Sequence, residues 1–179
     1  MNTETLDLTK TNSPAFAVKA LPEVAIAPSY PAIRIKSILV PLDFSETSFK
    51  SLQYAAPFAR QFGAKITLLN IVEPSVYTVD FSYIAPLGPE HFTGIEDQLK
   101  AIRARMIPDD VQVDTIVRQC FVFDGILDVA REIEADLIIT STHGRTGLKH
   151  LFLGSTAENT VRRAPCPVLV VRELEHDFV

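Results

Sequence analysis

Tryptophan is absent from this chain of 179 residues, which holds only two cysteines, two methionines and seven glycines. Cys120 and Cys166 are too few for a disulfide framework and match no zinc-ligand spacing, so they are read as small buried hydrophobes in a reducing compartment. A basic excess is also missing. The formal net charge is −5, and binding to a nucleic-acid backbone needs clustered positive charge, so nucleic acid is not expected as a partner. No apolar run approaches the roughly 20 residues of a membrane helix. The first residues lack a basic region followed by an apolar core, so no secretion signal is expected and a cytoplasmic location is. Three glycine-dependent motifs are absent: the G-x-x-x-x-G-K-[ST] phosphate loop, G-x-G-x-x-G after the first strand, and the G-x-S-x-G nucleophile elbow. His91, His143, His150 and His176 share no metal-ligand spacing.

What remains is a hydrophobic content of 47% with 22% charged residues, an ordinary globular composition for one domain with room for an arm. Residues 1–34 carry Pro14, Pro22, Pro28 and Pro31 without sustained periodicity and read as a flexible arm. Residues 35–173 alternate strands and helices, and 174–179 form a tail. The apolar runs at 35–40, 64–72, 111–117, 137–140 and 167–171 read as strands. Helices are expected from Glu46 to Gly63 with Ser45 as N-cap and a kink at Pro57, then around Ile95, Leu99, Ile102 and Met106, over Gly125–Glu134, and over Ser155–Arg163. Five mostly apolar strands separated by helices imply an α/β domain, doubly wound, with a parallel sheet covered on both faces. Ligands of such sheets lie beyond the strand carboxyl ends.

Two polar segments sit at those ends. After the first strand comes Val40-Pro41-Leu42-Asp43-Phe44-Ser45, where Asp43 can accept a hydroxyl or amine, or simply stabilise a helix start. After the fourth comes Ser141 to Thr156, where small-residue turns and a helix start can turn several backbone N–H groups toward one anion. Arg145 is placed to pair with an outer phosphate, or to remain a solvated charge. Ser155-Thr-Ala-Glu158 fits a capping box, and Gly154 just before it would let a ligand approach the backbone. Val at 154 is therefore expected to abolish binding without unfolding the protein. No nucleophile, base or second acid stands beside His143, so catalysis is not the expected main role.

Over residues 36–172 the chain resembles the universal stress protein family. The resemblance rests on Val-Pro-Leu-Asp-Phe-Ser (40–45), on Ala-Pro-Cys-Pro-Val-Leu-Val-Val (164–171), and on the pattern G-x2-G-x9-G-[ST] of its ATP-binding members. In that pattern the matching positions are Ser141, Gly144, Gly154 and Ser155. The resemblance implies a strand order of 3-2-1-4-5, which would bring the two polar segments to one crevice. It further implies ATP as ligand, with ADP or AMP as alternatives and Mg2+ as an accompanying ion. Carried over, Asp43 and the Pro41–Leu42 backbone would hold the adenosine end, and Ile71 would pack on adenine. Gly144, Arg145, Gly154, Ser155 and Thr156 would hold phosphates. A homodimer through Pro167–Val171 is also implied. The function that follows is a nucleotide-dependent stress regulator; the alternatives are an interaction module of the same fold that binds no nucleotide, or a slow ATPase. Two departures stand out. Ser141 replaces a glycine, at about 1 kcal/mol if φ must be positive, and Cys120-Phe-Val-Phe-Asp124 replaces a glycine-containing turn, expected to narrow the crevice.

Overall fold

The computed structural model describes residues 32–74, 88–143 and 154–172. The chain divides into two units, 1–32 and 33–179, and all described residues but Ala32 belong to the second. Most of the expected N-terminal arm, the connection at 75–87, and Gly144 and Arg145 lie outside the described residues, as does the 174–179 tail.

The elements in chain order are β1 (Ser37–Pro41), α1 (Glu46–Phe62), β2 (Lys65–Val72), α2 (Pro89–Met106), β3 (Val113–Gln119), α3 (Val122–Glu132), β4 (Leu137–Ser141), α4 (Ser155–Arg163) and β5 (Val168–Val171). They form one parallel sheet in the order β3-β2-β1-β4-β5, which is the expected doubly wound α/β fold. Residue parity along β1 explains why the sheet is apolar throughout. Ile38 and Val40 join a core with Leu52, Ala55 and Ala59 of α1 and Leu99 of α2, while Leu39 joins a second core with Ile126, Val129 and Ala130 of α3. Successive side chains point to opposite faces, and here both faces are covered.

Helix α1 starts and stops where its residues require. Ser45, extended at φ −80° and ψ 157°, accepts the Ser48 N–H on its hydroxyl. Gly63 takes φ 66° at the other end, and the Ala64 N–H turns back to the Ala59 carbonyl at 2.9 Å, the paired ending that glycine permits. The helix continues through Pro57, which is solvent-exposed, so water can reach the carbonyl that the proline cannot serve.

Three expectations are corrected. The fourth helix spans Ser155–Arg163 as expected, but its N-cap is Gly154 with no side-chain cap bond, and Glu158 pairs with Arg162 at 2.9 Å. The capping box is therefore not formed, because the Ser155 hydroxyl lies one residue too far into the helix. Helix α3 starts at Val122, three residues before Gly125, since nothing in Val-Phe-Asp resists helical φ and ψ. Strand β3 is shifted two residues toward the C-terminus of its expected span, following its pairing of Ile66 with Val113 through Val72 with Gln119.

Candidate functional site

The sheet order reverses between β1 and β4. From β1 the chain moves outward through α1 to β2 and β3; it then returns through α3 to β4 on the other side of β1. The carboxyl ends of β1 and β4 therefore diverge into different connections and leave a crevice between them. An open cleft of about 750 Å³ lies there, within the size range of small-molecule sites.

Every described candidate lines this one cleft: Pro41, Leu42 and Asp43 at the end of β1, Ile71 near the end of β2, Ser141 at the end of β4, and Gly154, Ser155 and Thr156 at the start of α4. Gly144 and Arg145 lie outside the described residues. The remaining wall is partly apolar, from Ile95 of α2 and Val122 and Ile126 of α3, and partly polar, from Glu73 and Gln98. Of the Cys120–Asp124 segment expected to narrow the crevice, Val122 alone lines it; Phe123 instead lies beneath the Arg163 guanidinium, 5.3 Å from ring centre to charge centre.

The β1–α1 turn is held from two directions. The Leu42 N–H donates to the Leu69 carbonyl at 2.8 Å, and the buried Asn70 amide donates to the Leu42 carbonyl at 2.7 Å. Asn70 was not singled out from sequence, although an amide within the largely apolar run Ile66–Val72 was its signal. Within the turn, Asp43 Oδ1 accepts both the Ser45 N–H, at 3.0 Å, and the Ser45 hydroxyl, at 2.6 Å. Asp43 is thus a helix-start residue and a cleft residue at once. Phe44 between them has φ 63°, a conformation that costs a non-glycine residue roughly 1 kcal/mol and often marks functional turns.

The β4 exit is organised around two carbonyls. His143 O accepts from the Ser141 hydroxyl and from the Thr47 hydroxyl of α1, each at 2.9 Å. Thr142 O accepts the Gly154 N–H at 3.0 Å, which ties the start of α4 to the end of β4. A Cβ added at Gly154 would stand 2.8 Å from that same Thr142 oxygen. The room that glycine leaves is therefore occupied by the protein's own backbone, and Gly154→Val strains the loop before any ligand is considered. Ser141 ends a regular strand and is not one of the described non-glycine residues with positive φ, which are Phe44 and Glu134. The conformational cost anticipated for serine does not arise.

Beneath the cleft, a Cβ on Gly125 would meet Cys120 Sγ at 2.5 Å and Ile71 Cδ1 at 2.8 Å. Gly125 is the residue that lets α3 close on β2 and sets Ile71 against the cleft. Both thiols are half-buried and unbridged. Burial pushes the Cys120 thiol up, helped by the Asp128 carboxylate, and burial does the same for Cys166. Among the described residues there is no group of three or more metal-binding side chains, and no helix is long and apolar enough to cross a membrane.

Comparison with known proteins agrees with this architecture. Residues 34–172 match the model of the universal stress protein family. The chain is 31% identical over 151 residues to a putative universal stress protein of Staphylococcus aureus, covering 82% of this chain and 90% of that one. It is 29% identical over 143 residues to the universal stress protein MJ0531 of Methanocaldococcus jannaschii, covering 77% and 82%. Among solved structures, UspA of Lactobacillus plantarum superposes with a TM-score of 0.62 at 24% identity, covering 79% of this chain and all of that one. Two further folds of this kind were solved with nucleotides: a universal stress protein in complex with cAMP (TM-score 0.55, 19% identity, 78% and 98% covered) and one from Archaeoglobus fulgidus in complex with dAMP (0.56, 18%, 78% and 98%). With the family model spanning all five strands and four helices described above, the chain belongs to the universal stress protein family.

Proposed function

We infer that the cleft between β1 and β4 binds an adenine nucleotide and that the bound state makes the protein a stress-response regulator. One observation carries the reading: eight candidate residues from four separate elements line a single cleft at the point where the strand order reverses. The walls suit the ligand. Ile71, Ile95 and Val122 offer an apolar slot for a base, Asp43 an acceptor for sugar hydroxyls, and the first turn of α4 backbone N–H groups that have no preceding helical carbonyl to serve, for phosphate. The cAMP and dAMP complexes of proteins with this fold support the same class of ligand.

ATP is the nucleotide this reading favours, with the phosphates gripped by Gly154, Ser155 and Thr156 together with Gly144 and Arg145. Mg2+ would arrive on the phosphates rather than in a protein cage, in keeping with the lack of a ligand cluster among the described residues. A homodimer through β5 belongs to the same proposal. Among the described residues that strand ends the sheet and pairs on one side with β4, so its outer edge is the one offered to a second copy. A cytoplasmic location completes it.

The test is the nucleotide content of freshly purified full-length protein, released by denaturation and separated by chromatography, followed by ATP titration. Stoichiometric adenine nucleotide or micromolar affinity is expected. Empty protein with no binding at millimolar ATP would overturn the reading in favour of a module that binds other proteins.

A further inference from the structure

Four oxygens connect the two ends of the cleft. Asp43 Oδ1 accepts the Ser45 hydroxyl at 2.6 Å, Ser45 Oγ lies 3.0 Å from Thr47 Oγ1, and Thr47 donates to His143 O at 2.9 Å. The first group faces the proposed sugar position. The last lies one peptide beyond Thr142, whose carbonyl holds the Gly154 N–H where α4 begins. Ser141 supplies a second donor to His143 O.

Proton counting makes this chain directional. A hydroxyl has one proton to donate. While Ser45 gives its proton to Asp43, the Thr47 proton is divided between two acceptors, Ser45 Oγ and His143 O. Asp43 Oδ1 already accepts two donors, of which the Ser45 N–H is fixed by the backbone and the Ser45 hydroxyl can rotate. A sugar hydroxyl donating to that oxygen would displace the Ser45 hydroxyl. Ser45 would then turn its proton to Thr47, and Thr47 would commit its own to His143 O.

We propose that Thr47 is a positioning residue that couples the sugar end of the cleft to its phosphate end through this hydroxyl chain. Occupying Asp43 fixes the His143 carbonyl and, through the adjacent peptide, the start of α4. Ser141, which stands where the family pattern has glycine, holds the same carbonyl when Thr47 is turned toward Ser45. The inference rests on the nucleotide reading above and adds to it an internal coupling.

Calorimetric titration with four ligands tests it: adenosine, dideoxyadenosine, ATP and dideoxy-ATP. In the wild-type protein, removing the sugar hydroxyls is expected to weaken ATP more than adenosine, by a factor on the order of 5, the lower end of site-to-site coupling. Thr47→Val keeps the shape and loses the hydroxyl, and should bring the ratio to unity. Thr47→Ser keeps the hydroxyl and should restore it. Ser141→Ala leaves Thr47 as the one described donor to His143 O and should enlarge the ratio rather than reduce it. A wild-type ratio of unity, an unchanged ratio in Thr47→Val, its loss in Thr47→Ser, or its collapse in Ser141→Ala would each overturn the proposal. Thermal melts establish that each variant is folded, and if Thr47→Val is not, the direction of the Ser141→Ala change decides. If the wild-type protein binds none of the four ligands, the nucleotide reading fails and the coupling fails with it.

Discussion

The same substitution, glycine to alanine, should destabilise at two positions and stabilise at a third, because what each missing Cβ would meet is different. At Gly154 the new atom would stand 2.8 Å from the Thr142 carbonyl oxygen. Carbon–oxygen contacts are tolerated from about 3.3 Å, so the two must separate by roughly 0.5 Å. The Gly154 N–H and Thr142 O now lie 3.0 Å apart, and that movement takes them beyond good hydrogen-bond geometry. Losing the bond costs about 0.5–1.5 kcal/mol, and forcing an atom into an occupied space about 1–3 kcal/mol. Gly154 has φ −59° and ψ 149°, which alanine adopts readily, so reduced freedom of the unfolded chain offsets about 0.4–1 kcal/mol. The net is a loss of about 2 kcal/mol, or roughly 4–8 °C in Tm for a chain of this size. Gly94 lies inside α2 with nothing within 4 Å of a Cβ, and alanine there should stabilise by up to about 1 kcal/mol. At Gly125 the Cβ would press on Cys120 and Ile71, so destabilisation should come with a displaced cleft wall. Circular-dichroism melts and urea titrations of the three variants measure the order. Gly154→Ala proving as stable as Gly94→Ala would refute the claim that Gly154 is required by the protein's own backbone.

Asn70→Ala should lower stability by about 1–3 kcal/mol, because the Leu42 carbonyl loses a buried donor; urea denaturation reads the cost, and an unchanged midpoint contradicts it. Ser51 is fully buried, and its hydroxyl has no partner among the described residues, so Ser51→Ala should be neutral or stabilising by about 1 kcal/mol, whereas a clear loss in melting temperature would contradict this. Arg118→Ala should cost under about 1 kcal/mol, since its pairing with Glu132 is exposed; a larger loss at high salt would show the pair to be structural. The thiols should resist alkylation near neutral pH, because burial holds both pKa values above the ordinary range. The stability linked to them is present below the ordinary thiol pKa and falls as pH rises from there through the folded-state values. Iodoacetamide labelling that is as fast in the native protein as in denaturant would refute this.

Local chemistry made several features legible. Ser45 and Gly63 bound α1 as their side chains dictate, and the turn at Pro41–Asp43 and the small residues around Gly154 were recognisable before any packing was known. Helix and strand boundaries set by partners were less so. Val122-Phe-Asp124 carries no signal against helix or for it, and its state was decided by docking of α3 on β2. Ser155 looked like a cap because the capping pattern is a local spacing; the hydrogen bond from Gly154 to Thr142 gave the cap position to Gly154 instead, with the helix running over Ser155–Arg163.

By itself the sequence determined the element types, the two-sided core and the identity of the residues that could meet a ligand, since hydrophobic period, turn residues and caps act over a few neighbouring positions. It left the strand order to resemblance, because parallel strands carry no mark of which neighbour they choose. Tertiary structure alone decided that Asn70 would pin the Leu42 carbonyl, that Thr142 would fill the space beside Gly154, and that Thr47 would reach His143 across 96 positions of chain. Each is an encounter between segments apart in sequence, created when β2 and β4 pack on either side of β1 and α4 meets the end of β4, and absent from any stretch of residues read in order.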